Sequence, residues 1–243
     1  MVRWRTIAFY EGRFLVKTLT EQQDLVEAYR LRHKVFVDRL QWVSASPLEL
    51  EVDAYDAWAI SVGLFMGDGT LAGLFRILVP PGPFMLESEF RPCLLPGYRL
   101  RKEPDTVEIT RLTVDPGIHD KGLSSRMMLA LFKGVYQWSV FNDVRYLYMV
   151  VEKRFLRVLR AIGFPCEPIS PAVALPPAGA LSVAAVLDWD QFRDESAQKR
   201  PEFLRWITLL DNAKVRDEAA VPQTVQVKAG EEAVPIDGEL VKA

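Results

Sequence analysis

Apolar and polar positions follow one another along the chain in a pattern that predicts helices and strands in mixed order. After Thr20 and Gln23, which have the spacing of a capping box, apolar residues recur at helical intervals. Residues 39–56 have no period, and the turn sequence GDG after Met66 predicts a hairpin. The predicted elements are, in chain order, a helix over 18–38, strands over 57–65, 71–79 and 107–114, a helix over 123–141, a strand over 144–151, a short amphipathic helix ended by Gly163, a strand over 181–189 and a terminal helix from Pro201.

This order of elements predicts an α+β fold. A meander of strands followed by alternating helices and strands favours a mainly antiparallel, twisted sheet with helices on its faces, an α/β/α sandwich. Apolar residues make up 49% of the 243 positions, which is enough for one sizeable core. We therefore expect a single domain over residues 1–212. Residues 213–243 are polar with little periodicity and are expected to form a disordered tail.

Composition excludes several classes of protein. A formal net charge of −2 argues against a nucleic-acid-binding protein, whose binding face is usually basic. Cys93 and Cys166 are too few and too far apart for a disulfide framework, and His33 and His119 do not suffice for a His-based zinc site. No stretch has the length and apolarity of a membrane span. We expect a cytoplasmic chain that binds no metal, cofactor, nucleic acid or membrane.

Charged residues interrupt two of the predicted apolar strands. Arg76 lies in one strand, and Glu108 and Arg111 lie in another. Such side chains are unfavourable to bury unless they are paired. Partners are available in three residues of the N-terminal part, which are Arg32, Asp53 and Asp56. From spacing alone, a structural network of ion pairs is the simpler interpretation, and a substrate site remains open.

The same charged residues, together with two aromatic ones, stand at the spacings of a known family signature. The matched positions are Arg32, Phe36, Trp42, Asp53 and Asp56, then Gly73 and Arg76 in a G-x-x-R strand, Pro83–Leu86 in the segment PFML, and Glu108 and Arg111 in an E-x-x-R strand. In these positions the chain resembles the autoinducer synthase family, the acyl-homoserine-lactone synthases, over about residues 14–189. The resemblance implies a fold similar to the GNAT N-acetyltransferases, with a V-shaped split in the sheet.

The resemblance also implies a reaction. Members of that family transfer an acyl chain from a thioester to the amino group of S-adenosylmethionine, which then closes to a homoserine lactone and releases methylthioadenosine. An α-amino group with a pKa near 8 must lose a proton to attack, and Glu108 is the candidate acceptor. The alternative role for Glu108 is an ion pair with Arg111 or Arg76.

The other matched residues are assigned to the S-adenosylmethionine site on the same basis. Phe36 and Trp42 would enclose the methionine part of the substrate, with Arg32 near its carboxylate. Asp53 and Asp56 would hold the arginines. Arg76 and Arg111 would mainly orient these two acids. Glu108 and Arg111 are three residues apart, so we expect either a β-bulge between them or a pairing of Arg111 across the sheet.

An apolar pocket for the acyl chain is expected between the central helix and the strand that follows it. The candidates are Phe84, Met127, Leu131 and Met149, although for each of them alone the residue type favours core packing.

The acyl donor is either acyl carrier protein or acyl-coenzyme A. On the analogy with N-acetyltransferases, the loop 115–125 would lie near the phosphopantetheine of the donor. A basic helix could dock an acidic carrier protein, or it could simply be a solvated face. Its basic residues are Lys153, Arg154, Arg157 and Arg160.

Two other functions remain to be separated from this one. The first is a GNAT-type acetyltransferase that acts on another amine, and the second is a non-catalytic regulator that binds only acyl carrier protein. The N-terminal signature argues against the first, and the complete set of charged residues argues against the second.

Overall fold

The computed structural model describes residues 4–210 and 214–219. The strands are β1 (Arg5–Glu11), β2 (Phe14–Thr18), β3 (Ala59–Phe65), β4 (Leu71–Leu78), β5 (Thr106–Val114), β6 (Tyr146–Glu152), β7 (Glu167–Pro168), β8 (Val173–Leu175), β9 (Ala180–Asp188) and β10 (Lys214–Ala219). The α-helices are α1 (Gln22–Arg32), α2 (Lys121–Phe141), α3 (Lys153–Ile162), α4 (Trp189–Lys199) and α5 (Pro201–Thr208), and a π-helix (His33–Arg39) continues α1.

The strands form one open sheet in the order β10-β1-β2-β3-β4-β5-β6-β9-β7, with β8 also paired to β9. Among the described strands, every pairing is antiparallel except that of β5 with β6. These two strands pair only from Thr106–Tyr146 to Ile109–Met149, and both then continue without pairing to each other. The expected V-shaped split in a mainly antiparallel sheet is therefore confirmed.

Helices cover both faces of the sheet, so the predicted sandwich of layers is also confirmed. The helix α2 packs on one face, where most of its residues from Met127 to Ser139 are buried. It lies close to the sheet at Gly134, where an added Cβ would stand 2.9 Å from Val16 Cγ1. The helix α1 packs on the opposite face. No helix in the described part of the chain combines the length and apolarity needed to cross a membrane.

The start of the first helix differs from the prediction. Thr18 ends β2, opposite Val62, and the backbone N–H of Leu19 still donates to Ser61 O at 2.8 Å. The helix therefore starts only at Gln22, after the N-cap Glu21, whose side chain makes no capping hydrogen bond. The predicted capping box is wrong because sheet pairing holds the residues before it in an extended conformation.

A β-bulge in β5 resolves the spacing of Glu108 and Arg111. Leu74 stands opposite Thr113 and Arg76 opposite Thr110, so β5 has one residue more than β4 over this interval. Arg111 takes a positive φ of 56°. Glu108 and Arg111 thereby reach the same face of the sheet, as the bulge prediction expected.

The C-terminal part differs from the prediction in two ways. Residues 189–199 form the helix α4, which the sequence analysis missed, and α5 ends at Thr208. Six residues of the predicted disordered tail, Lys214–Ala219, form the strand β10, which pairs with β1. Residues 213 and 220–243 lie outside the described residues, so for them the predicted tail, and with it the domain boundary, stays a prediction.

Candidate active site

Six charged side chains meet on the α1 face of the sheet, beside the split, and their formal charges cancel. The three arginines are Arg32, Arg76 and Arg111, and the three carboxylates are Glu51, Asp53 and Asp56. We call this set the ion cluster. Its members come from α1, the loop 51–56, β4 and β5.

Arg32 lies at the closed side of the ion cluster, with a side chain that is only 1% exposed. Its guanidinium donates to Asp56 at 2.7 and 3.1 Å and also to Glu51. Burial raises the pKa of Asp56, but the charges of Arg32 and Arg76 outweigh this and hold it below its usual range. Arg32 is thus fully engaged by protein carboxylates.

Arg76 occupies the centre of the ion cluster and is completely buried in β4. Its Nη1 donates to Asp53 at 2.5 Å and to Asp56 at 2.9 Å, and its Nε donates to Thr110 Oγ1 at 2.9 Å. Thr110 stands directly opposite Arg76 on β5. Arg76 therefore fixes the loop 51–56 to the centre of the sheet.

Arg111 forms the open side of the ion cluster. Its Nε and Nη2 donate to the two oxygens of Glu51 at 3.0 and 2.7 Å, and Nη2 also donates to Asp53 at 3.1 Å. Although burial opposes it, the charges and hydrogen bonds of Arg32 and Arg111 hold the pKa of Glu51 well below its usual range.

Glu51 is the member of the ion cluster that the sequence analysis missed. Glu51 pairs with Arg111, whereas the sequence left open an ion pair of Glu108 with Arg111 or Arg76. One signal was available: if Glu108 accepts a proton, it cannot also neutralise an arginine, so three arginines require a third acid elsewhere.

Glu108 lies next to the ion cluster but outside its pairing. Its side chain is completely buried, and neither carboxylate oxygen has a hydrogen-bond partner among the described residues. Burial raises the pKa of Glu108 to about 8. The backbone N–H groups of Met85 and Leu86 and the charge of Arg76 act in the opposite direction. Since these N–H groups come near without hydrogen-bond geometry, they reduce the rise and do not cancel it.

A cavity of about 1100 Å³ starts at the ion cluster and passes along the split in the sheet. At the near end, Phe36 and Trp42 form a wall with ring centroids 6.2 Å apart. The guanidinium carbon of Arg111 lies 5.3 Å from the Phe36 ring centroid. Asp53, whose side chain is 24% exposed, is the most accessible carboxylate of the ion cluster.

The far end of the cavity is apolar and lies between the sheet, α2 and α3. Four aromatic rings line it, those of Phe132, Phe155, Phe164 and Trp189. Phe132 and Phe164 stack edge to face at 5.3 Å. Phe132, Phe164 and Trp189 are almost completely buried, and Phe155 is half-buried.

The cavity separates the predicted site residues into two groups. Those that line it are Phe36, Trp42, Asp53, Arg111 and Met149, and those that do not are Arg32, Asp56, Arg76, Glu108, Phe84, Met127 and Leu131. The assignment of Arg32 to a substrate carboxylate is not supported by this geometry, because its donors face Glu51 and Asp56. Arg111 is the arginine of the ion cluster that faces the cavity.

Most of the predicted acyl-pocket residues need correction. Met127 and Leu131 are fully buried against the sheet, where Leu131 Cδ1 stands 3.1 Å from the position of a Cβ on Gly73. Phe84 packs against Tyr148 on the opposite face of the sheet, with ring centroids 6.4 Å apart. The side of α2 that lines the cavity is one residue further round the helix and consists of Ser124, Met128, Phe132 and Val135.

The predicted basic helix is α3, and its cations differ in their surroundings. Arg154 is 81% exposed at the rim of the cavity and pairs with Glu152. Arg160 is engaged by Cys166 O at 2.8 Å and by Glu167 at 3.2 Å. Lys153 and Arg157 are exposed. The structure therefore leaves two well-exposed cations beside Arg154 for a partner or for solvent.

At the start of α2 a carboxylate already occupies the helix N-terminus. Asp120 accepts from the backbone N–H of Leu123 at 3.0 Å. Asp115, just before this turn, pairs with Lys34 of the π-helix at 2.6 Å. Within the described residues, no group of three or more metal-binding side chains is arranged around a common point.

Comparison with known proteins agrees with this architecture. The autoinducer synthase family model matches residues 16–196. An acyl-homoserine-lactone synthase of Agrobacterium fabrum is 31% identical over 199 residues, which cover 80% of this chain and 92% of the relative. One from Aeromonas salmonicida is 33% identical over 144 residues, 58% of this chain and 69% of the relative.

Solved structures show the same fold. The crystal structure of the synthase LasI superposes with a TM-score of 0.65 at 24% identity, over 73% of this chain and 91% of that one. That of the coenzyme A-dependent synthase BjaI gives a TM-score of 0.62 at 21% identity, over 76% and 80%. The GNAT-like fold is thereby confirmed. The chain belongs to the autoinducer synthase family and is an acyltransferase of the acyl-homoserine-lactone synthase type.

Proposed function

We propose that this enzyme acylates the amino group of S-adenosylmethionine with an acyl thioester and then closes the product to an N-acyl-homoserine lactone. The observation that carries the proposal is one continuous cavity with a charged, aromatic end and an apolar end on the two sides of the sheet split. A cationic amino acid suits the first end and an acyl chain suits the second. The split is where the two reacting atoms would meet.

The near end has the chemistry that a sulfonium amino acid requires. Phe36 and Trp42 present aromatic faces to a cation, and Asp53 presents a carboxylate. The position of Arg111 in the cavity lining supports assigning the substrate carboxylate to Arg111 rather than to Arg32. BjaI has been crystallised with methylthioadenosine, and also with S-adenosylmethionine and isopentyl-coenzyme A, which supports the same pair of substrates here.

The pKa of Glu108 suits the first step, in which its ionised carboxylate is the proton acceptor. An α-amino group has a pKa of about 7.7–8.0, and that of Glu108 is about 8, so proton transfer between them is nearly thermoneutral. The amine lone pair attacks the thioester carbon, the C–S bond breaks, and the thiolate leaves. Glu108, directly or through a water, accepts the proton that the nitrogen loses.

Lactone closure needs positioning more than acid–base chemistry. A carboxylate oxygen of the acylated substrate attacks the carbon that bears sulfur, and the C–S bond electrons leave with methylthioadenosine. The sulfonium is already a good leaving group, so folding the carboxylate onto that carbon supplies most of the effect. Arg111 is held rigidly by Glu51 and Asp53 for this purpose.

A direct assay tests the proposal. The protein is incubated with S-adenosylmethionine and a series of acyl thioesters, each offered on coenzyme A and on acyl carrier protein, and the products are identified by mass spectrometry. We expect equal amounts of acyl-homoserine lactone and methylthioadenosine from at least one donor. Acyl transfer to another amine without methylthioadenosine would favour a general acetyltransferase, and carrier-protein binding without any product would favour a regulator.

The corrected acyl pocket predicts opposite results for two adjacent residues. Phe132→Ala enlarges the cavity and is expected to shift the preferred acyl chain to a longer one, changing the ratio of kcat/KM values between two chain lengths by about 10-fold or more. Leu131→Ala is the matched control, since Leu131 packs against the sheet. It should destabilise the protein by about 2–5 kcal/mol without changing that ratio. A shift of chain preference in Leu131→Ala instead would place the pocket on the wrong side of α2.

A further inference from the structure

Glu108, the proposed proton acceptor, has no access to the cavity. Its carboxylate is completely buried, and Glu108 does not line the cavity, although its strand neighbours Ile109 and Thr110 do. A substrate amine in the cavity cannot reach this carboxylate while the surrounding side chains keep their positions. Something must cover Glu108, and that cover must move.

Met85 is in the right place to be the cover. It lies in a single helical turn, Met85–Glu87, and it lines the cavity while its backbone N–H approaches the Glu108 carboxylate. Its sulfur accepts a weak hydrogen bond from Arg76 Nη2 at 3.4 Å and another from Arg111 Nη1 at 3.7 Å. The Met85 side chain therefore contacts the ion cluster, while its backbone lies beside Glu108.

The turn itself is fixed at both ends, so the flexible part is the methionine side chain. Glu87 Oε2 accepts from the backbone N–H of Phe84 at 2.6 Å and pairs with Lys102 at 2.7 Å. Tyr55 binds the residues after the turn through Ser88 and Glu89. A methionine side chain has three rotatable bonds and holds its place here through weak contacts only.

We propose that Met85 is a positioning residue that closes Glu108 off from the cavity, and that the substrate amine reaches Glu108 only when this side chain is displaced. The inference rests on the proposed function and adds a step to it. Displacement would exchange two weak sulfur contacts of Arg76 and Arg111 for contacts with the substrate. While Met85 is in place, burial favours the protonated carboxyl group of Glu108. When the side chain moves, water reaches the carboxyl group, its proton passes to solvent, and the resulting carboxylate accepts the proton of the amine.

The charged and titratable groups that face Glu108 belong to four segments. They are Arg76 on β4, Tyr148 opposite Glu108 on β6, Glu87 in the turn, and Tyr55 in the loop before β3. Met85 contacts one of these groups, Arg76, through its sulfur. Met85→Leu also removes this contact but keeps the bulk of the side chain. A shift that appears in Met85→Ala and is absent in Met85→Leu therefore reports on access of water and substrate.

The experiment follows Glu108 without turnover. The infrared carbonyl band of its protonated carboxyl group is identified by its absence in Glu108→Gln and then titrated in the full-length protein. In the wild type we expect the band to disappear near pH 8. In Met85→Ala it should disappear at least about one pH unit lower, because water then reaches the carboxylate. The low-pH limb of kcat/KM should move by the same amount.

Two further variants keep the test decisive. Met85→Leu retains the bulk of the cover and should titrate as the wild type does. Met85→Val, a smaller change than Met85→Ala, should shift the band in the same direction by less, and it serves if Met85→Ala does not fold. An unshifted band in Met85→Ala, or an equal shift in Met85→Leu, would overturn the proposal. Failure of the proposed function would show differently: no acyl donor would give product, although the carboxyl bands of the wild type and the Met85 variants would still titrate as expected above.

Discussion

Replacing Glu108 by glutamine is expected to lower kcat/KM by about 10²–10⁴-fold while making the protein more stable at neutral and alkaline pH. The first effect follows from loss of the proton acceptor. The second follows from burial, because the wild-type protein holds a carboxyl group that resists ionisation. An inactive variant that is also more stable cannot be explained by misfolding. This pair of results separates a catalytic role from a structural one.

The pH dependence gives the sign of the stability change. Glu108 has a folded pKa of about 8 against an ordinary value of 4.5, so between these values the folded protein binds more protons than the unfolded chain. The wild-type free energy of unfolding therefore falls as pH rises through this range, by up to about 1.4 kcal/mol per pH unit. The amide in Glu108→Gln does not titrate. The free energy of unfolding of Glu108→Gln should therefore exceed that of the wild type by little at about pH 5 and by a few kcal/mol at about pH 8.5.

Urea unfolding at these two pH values measures the stability difference, and the lactone assay measures activity. Glu103→Gln is the matched control, since Glu103 is exposed just before β5 and should leave both quantities unchanged. Retained activity in Glu108→Gln would remove Glu108 from the proton transfer. A stability difference that does not grow with pH would show that the folded protein does not hold this carboxyl group protonated.

The residue pattern was sufficient for the fold class and most of the charged residues for a physical reason, whereas the split was expected only from the family resemblance. Arg76 and Glu108 lie in otherwise apolar strands, and ions in such positions must find partners. The strands β3 and β4 are continuous apolar runs joined by a turn of glycine and aspartate. This pattern is typical of a β-hairpin. Local chemistry of this kind does not depend on distant parts of the chain.

The sequence could not place the acyl pocket, because α2 has no distinct apolar stripe. Nearly every residue from Met127 to Ser139 is buried, so periodicity does not show which side faces the split. The resulting error was one position round the helix, Met127 instead of Met128 and Leu131 instead of Phe132. Only the packing of α2 on the sheet decides between these sides.

The two N-terminal strands, β1 and β2, were not predicted from the sequence for a related reason. The strand β1 begins and ends with the charged residues Arg5 and Glu11, and β2 has only five residues. Both gain their stability by pairing with each other and, for β2, with β3. Pairing across the sheet also explains why α1 starts late, because the hydrogen bonds to β3 continue beyond Thr18 and hold this part of the chain extended. Contacts between distant segments are what a local pattern omits.

Removing Arg32 is expected to destabilise the protein strongly. Arg32→Ala leaves Glu51 and Asp56 buried without their shared partner, and breaking such a pair costs about 3–5 kcal/mol. Arg30→Ala, two residues earlier on α1, is the matched control. Arg30 forms an exposed pair with Glu27 and should contribute less than about 1 kcal/mol.

The destabilisation by Arg32→Ala should grow as pH rises, whereas over the same range Glu108→Gln should become increasingly stabilising. In the wild type, the pKa values of Glu51 and Asp56 lie below their usual range, so their contribution to stability is present above about pH 4.5 and is lost as pH falls. Without Arg32 their pKa values rise, and protonation relieves the uncompensated burial. Urea unfolding should therefore show a smaller difference between wild type and Arg32→Ala at about pH 5 than at about pH 7.5. If Arg32→Ala costs no more than Arg30→Ala at either pH, the remaining arginines hold these carboxylates by themselves, and the ion cluster depends on Arg76 and Arg111.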